Sequence, residues 1–247
     1  MATGSIDNLG LSIVEKNMAS KLRFGFLVFP NLQQLDLAGP YEMFSVLDVA
    51  KEVPLVWKSR EPVLSTTGIS FTPTCSFADC PKLDLICVPG GVGVNALLRD
   101  EAVLAFVRQQ AASALFVTSV CTGALVLGAA GLLAGKRATS HWSARDLLAG
   151  FGAIPTLGRV VRDGRLITAG GVTAGIDFAL TAIAELCGIE AAQRCQLQLE
   201  YAPEPPFDAG TPESAPAEIL ATLKERGSAV RREREAIIAE IGMDGGR

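Results

Sequence analysis

The sequence predicts an α/β protein, a three-layer sandwich in which helices cover both faces of a mainly parallel sheet. Three observations predict it. The runs FGFLVF at 24–29, LDLICV at 83–88 and ALFVTSV at 114–120 are short and apolar throughout, as strands buried on both faces are. Segments with apolar residues at helical spacing alternate with them. The chain has 247 residues, 49% hydrophobic and 19% charged, enough for one large core in one domain and too apolar for wholesale disorder.

The elements follow in order. Pro30 and Asn31 end the first strand, and Leu37, Tyr41, Phe44 and Leu47 place a helix over 36–49. A brief strand is expected at 55–58. An edge strand is expected at 69–77, because Pro73 lacks the N–H that a central ladder needs. The strand at 83–88 runs into Pro89-Gly90-Gly91. Val103, Leu104, Phe106 and Val107 then mark a helix over 100–112. The strand at 114–120 ends at Cys121, and a helix of small residues covers 122–133, with a short helix at 142–148. Segments 159–162 and 165–168 flank Asp163-Gly164, a hairpin signal. Helices are expected over 173–186 and 191–200, then a proline-rich loop at 202–216. A last helix over 218–241 carries Ile219, Leu223, Val230, Ile237 and Ile241 on one stripe, and its mixed charged run 231–235 reads as a solvated face. Residues 1–21 read as a frayed extension and 22–247 as the single domain.

Charge and composition exclude several functions. A formal net charge of −4 with no basic block argues against nucleic acid as a partner. No apolar run reaches the ~18 residues of a membrane span, and the first twenty residues lack a secretion signal, so a cytoplasmic protein is expected. The six cysteines include no CxxC pair and there is one histidine, so a His-rich metal site is excluded and reduced thiols are expected.

Ser119-Val120-Cys121-Thr122-Gly123 reads small-x-nucleophile-x-small between a strand and a helix. That is the pattern of a nucleophile elbow with cysteine in place of serine. The helix start is expected to lower the thiol pKa through its amide dipoles. The alternative is a packed strand cysteine, the usual fate of that residue. At Pro89-Gly90-Gly91, amides could join that of Thr122 in an oxyanion pocket, with Gly91 and Thr122 as the binding pair, or the segment is a plain turn. Asp36 fits a helix N-cap, or else a carboxyl beside the thiol, where two acids would share a proton. His141 could form a Cys–His couple or sit in a turn. Asp177 compensates a helix dipole.

These residues carry a resemblance. FPNLQQLDLAGPYE, DLICVPGGVGVNALL, VTSVCTGALVLGAAGLLAGKRATSHW, GRVVRDGRLITAGGVTAGIDFAL and QLQLEYAPEPPFDAG resemble the isonitrile hydratase branch of the ThiJ/PfpI superfamily over about 22–216. The resemblance implies a flavodoxin-like, class I glutamine amidotransferase-like fold, a homodimer, and a site without metal or cofactor. It implies hydration of a small-molecule isonitrile to a formamide through a cysteine thioimidate. The nucleophile falls on Cys121, the acid on Asp36 and the neighbouring threonine on Thr122. Two other readings stand beside it. One is another cysteine-dependent activity of the superfamily (glyoxalase-type, amidase or protease, redox-sensing). The other is the ligand domain of a transcription regulator, against which the ~30 residues after the proline-rich loop are too few for a helix-turn-helix domain.

Overall fold

Strands form where the chain is apolar on both sides, and here those segments lie side by side. The structure, a computed structural model, describes residues 21–244, so residues 1–20 of the expected extension lie outside it. The central strands are β1 (Leu22–Leu27), β7 (Leu85–Val88), β8 (Phe116–Val120) and β12 (Leu166–Ala169). β7, β8 and β12 are buried at every position, as their largely apolar runs require, with Thr118, Ser119 and Thr168 buried among them. β2 (Ala50–Glu52) and β3 (Leu55–Trp57) both pair with β1, with Pro54 between them. They are two pieces of one interrupted strand, because proline cannot donate to the ladder.

The sheet runs β11-β12-β8-β7-β1-β3-β6, where β6 is Cys75–Ser76 and β11 is Val160–Asp163. Every pairing is parallel except β11 with β12. Helices α1 (Gln34–Ser45) and α5 (Ala174–Cys187) pack together, and α6 (Ile189–Gln198) lies against α5. Helices α2 (Val94–Leu97), α3 (Glu101–Ser113) and α4 (Gly123–Ala129) form a second group against β7 and β8. The sandwich of helices around a mainly parallel sheet agrees with the sequence. Among the described residues no helix is long and apolar enough to cross a membrane.

Four local expectations are corrected. The edge strand expected at 69–77 is broken: Ser70–Phe71 (β5) pairs with Val63–Leu64 (β4) in a small hairpin, and only β6 joins the sheet, because Pro73 interrupts the run. In the later hairpin Asp163 pairs with Leu166, so the turn is Gly164-Arg165, with Gly164 at φ 63. The helix after Cys121 stops at Ala129 because Gly131, at φ 78, lets the Leu132 N–H reach back to Leu127 O at 3.0 Å. A 3-10 turn at Asp146–Phe151 replaces the short helix expected at 142–148.

The site follows from topology. Strand β1 sends the chain outward to β3 and later back past itself to β7, so the strand order reverses between β1 and β7. Ligands in open α/β sheets bind beyond the carboxyl ends of the strands at such a switch point. The loop after β1 and the loop after β7 meet there, with Leu32 bridged to Gly91. The end of β8 lies alongside, because β8 is the next strand.

Candidate active site

Cys121, the residue after β8, lies in the left-handed region, at φ 56. A non-glycine residue there costs on the order of 1–3 kcal/mol, and the surroundings must hold it. Cys121 N–H donates to Ala169 O at 3.0 Å, and Ser140 Oγ donates to Cys121 O at 2.8 Å. The small residues of the elbow have a steric cause. A Cβ on Gly123 would fall 2.0 Å from Val88 O, so α4 can start against β7 only with glycine there.

Asp36 does not cap α1. Gln33 holds the N-cap position, and Asp36 lies within the first turn with no exposed surface. Its carboxyl turns to the loop after β7, where Gly90 N–H donates to Oδ2 at 2.8 Å. A Cβ on Gly90 would lie 2.8 Å from that oxygen and 2.6 Å from Thr122 N. Oδ1 is buried with no well-aligned partner, and the Cys121 thiol is the side chain that couples to the carboxyl. Burial, opposed by the Gly90 amide and the thiol, raises the Asp36 pKa to about 7.

The thiol departs from the sequence expectation. Burial first, then the neighbouring carboxylate, push Cys121 well above the ordinary thiol value, and the Thr122 amide and hydroxyl oppose this without reversing it. The sulfur is dry: Cys121 is 6% exposed. Desolvation therefore outweighs the amide dipoles. Two acids in contact titrate as a unit, so above about pH 7 the pair holds one proton between sulfur and carboxyl.

Thr122 and Gly91 come together differently from the expected oxyanion pair. Gly91 N–H donates to Thr122 Oγ1 at 3.0 Å, and that hydroxyl donates back to Gly91 O at 3.3 Å. The threonine thus pins the loop after β7 to the elbow, and the Gly91 amide is already occupied. His141 is not coupled to the thiol. Its Nδ1 accepts from Ser143 N–H at 3.3 Å and lies 2.8 Å from Ser143 Oγ, which puts the ring proton on Nε2. Burial and Arg234 lower its pKa, so the ring is neutral. Asp177 sits in the first turn of α5 as expected, ion-paired with Arg159 and accepting from Tyr201 OH at 2.9 Å.

Above the thiol lies a cleft of about 1050 Å³, with Cys121, Thr122, Gly91, His141 and Trp142 on one side. The last helix, α7 (Ala217–Asp244), forms the other wall. The run 231–235 is thus a solvated face only in part: Arg232, Glu233 and Glu235 are exposed, while Arg231 is half-buried and Arg234 turns inward. Arg231 donates to both oxygens of Asp146 and to Ser143 O, tying α7 across the cleft. Arg234 is 5% exposed. The sequence held a signal for this: Arg234 falls at helical spacing between Val230 and Ile237, on the apolar stripe.

With this geometry in place, comparison with known proteins decides the family. The sequence profile of the DJ-1/PfpI family matches residues 23–185. The chain belongs to the DJ-1/PfpI family. Within it, the chain is 60% identical over 208 residues to an isonitrile hydratase of Pseudomonas putida, covering 84% of this chain and 90% of that protein. It shares its fold with a crystal structure of a ThiJ/PfpI family protein from Pseudomonas syringae: TM-score 0.86, 46% identity, covering 89% of this chain and 91% of that one. It is also 30% identical over 175 residues to the HTH-type transcriptional regulator GbdR of Pseudomonas aeruginosa, 67% of this chain but 47% of the regulator. The expected superfamily and fold agree with these matches.

Proposed function

We propose that this chain is an isonitrile hydratase, a hydro-lyase that adds water to R–N≡C and releases the N-substituted formamide, acting as a homodimer in the cytoplasm. The observation that carries the chemistry is the buried Cys121–Asp36 pair under the cleft. The substrate class rests on the 60% identity to the Pseudomonas putida enzyme.

An isonitrile carbon accepts a nucleophile and a proton at one atom, which is what a pair holding one proton can supply. In its reactive form the sulfur is anionic and the carboxyl carries the proton. The S–C bond forms as Asp36 protonates the same carbon, leaving R–N=CH–S–Cys121 and a carboxylate. The carboxylate takes a proton from water as the water oxygen bonds to carbon, and passes it to nitrogen. Collapse of the adduct breaks the C–S bond, returns the hydroxyl proton to Asp36 and regenerates the thiolate. Covalent catalysis divides a hard addition into two easier ones, and a positioned proton donor contributes about 10²–10⁴-fold. Thr122 acts by holding the loops, and its amide supports charge on sulfur.

Purified protein should convert cyclohexyl isocyanide to N-cyclohexylformamide, and a slow isonitrile should leave an adduct on Cys121 by mass spectrometry. Lactate from methylglyoxal without any formamide overturns the substrate class and leaves the nucleophile in place.

A further inference from the structure

The cleft contains a cation that the hydration chemistry above does not use. Arg234 is buried, yet none of the carboxylates among the described residues ion-pairs with it. Its Nε donates to Asn95 Oδ1 at 2.8 Å. Asn95 is itself held, its Nδ2 donating to Glu233 Oε2 at 2.8 Å and to Val230 O at 3.3 Å. The guanidinium is thus fixed through one of its five N–H groups. The others have no acceptor among the described residues, and the side chain lines the same cleft as Cys121.

The charges around Arg234 do not replace a partner. Arg231 repels it and is itself satisfied by Asp146 and Glu235. Glu233 attracts it from a distance but spends its hydrogen bond on Asn95. His141 is neutral. Burial is the main influence on Arg234 and lowers its pKa, with the Cys121 site as its largest opposing attraction. A buried charge is costly unless paired, and the planar fork of Nη1 and Nη2 matches a carboxylate.

We propose that Arg234 is the specificity-determining residue of this cleft, and that the favoured isonitriles carry a carboxylate on the nitrogen substituent. This rests on the isonitrile reading. Asn95 aims the guanidinium, the carboxylate takes the free N–H groups, and the isonitrile carbon is left toward Cys121.

The test compares isocyanoacetate with its methyl ester in the wild type, Arg234→Lys and Arg234→Met. The wild type should favour the anion in kcat/KM by about tenfold or more, roughly the effect of 1.4 kcal/mol. That preference should vanish in Arg234→Met and survive in part in Arg234→Lys, which keeps the charge and loses the fork. An anion-to-ester ratio that is the same in wild type and Arg234→Met overturns the proposal, as does a wild type that prefers the ester. A shifted pH profile with an unchanged ratio means that Arg234 only biases the thiol, which also overturns it. A binding measurement covers misfolded variants and a failure of the activity reading. Calorimetry on Cys121→Ser should show tighter binding of N-formylglycine than of N-formylglycinamide, weakened by salt, and equal affinities overturn the proposal. A wild type that hydrates cyclohexyl isocyanide but neither of these two overturns the proposal and leaves the isonitrile reading standing; if it hydrates none of the three the isonitrile reading falls, and the calorimetry still decides whether Arg234 receives a carboxylate.

Discussion

At the scale of the residue, the proposed chemistry turns on one proton. Below about pH 7 both Asp36 and Cys121 are protonated, and the thiol is a weak nucleophile. Above it the pair keeps one proton, and the second leaves only well above the ordinary thiol value. Activity should therefore rise through about pH 7 and hold across the mildly alkaline range, which a kcat/KM profile measures directly. A profile that already plateaus at pH 5 contradicts the shared proton. Asp36→Asn separates shape from proton transfer. The asparagine carbonyl can accept the Gly90 N–H, while its amide cannot deliver a proton to carbon. Turnover should fall by at least about a hundredfold with the fold intact. Stability should move the other way. The folded carboxyl titrates near 7 against 3.8 when free, so its protonated state stabilises the fold at low pH and that contribution is lost as pH rises through 7. The variant escapes this loss. Its unfolding free energy, measured by urea titration, should match wild type near pH 4 and exceed it above pH 7, by on the order of 4 kcal/mol at most.

At the scale of the element, glycines decide how closely the loops approach. Gly123 and Gly131 bracket α4 and need glycine for different reasons. A Cβ at Gly123 strikes backbone, Val88 O at 2.0 Å and Pro89 O at 2.7 Å. At Gly131 the space is open and only the left-handed φ of 78 opposes a side chain. Gly131→Ala should cost about 1 kcal/mol and leave the site working. Gly123→Ala should cost about 3 kcal/mol or more and abolish turnover, because β7 and the elbow must separate. Urea midpoints and activity on both variants distinguish the two causes. The same contrast explains what the sequence disclosed. Buried strands are written in largely apolar runs, and the elbow is written in small residues around Cys121. Asp36 was ambiguous, because an aspartate at a helix start caps far more often than it reaches across a sheet. Only the reversal of strand order between β1 and β7 turns it toward the thiol. The composition of the charged run in α7 points to solvent, and the cleft wall is set by which face α7 turns inward. The helix start visible in the sequence favours a lowered thiol pKa, while the burial that dominates it depends on the tertiary fold.

At the scale of the whole molecule, one flank stays open. Leu197 at the end of α6 and Phe207 in the loop 202–216 are 82% and 80% exposed. Single exposed apolar side chains are ordinary, but these two flank the half-buried Tyr201 within one short stretch of chain. No residue of 202–216 lines the cleft of its own chain, so this segment does not serve that site directly. The proposed homodimer gives the stretch a partner surface. Light scattering should return about twice the chain mass of 25.9 kDa. Leu197→Asp should shift the protein toward monomer at micromolar concentration, because a carboxylate buried at an apolar contact lacks a counter-charge. Its circular dichroism should be unchanged, since the side chain is 82% exposed within the subunit. A Leu197→Asp protein that remains fully dimeric places the interface elsewhere, and a wild type that scatters as one chain removes the dimer.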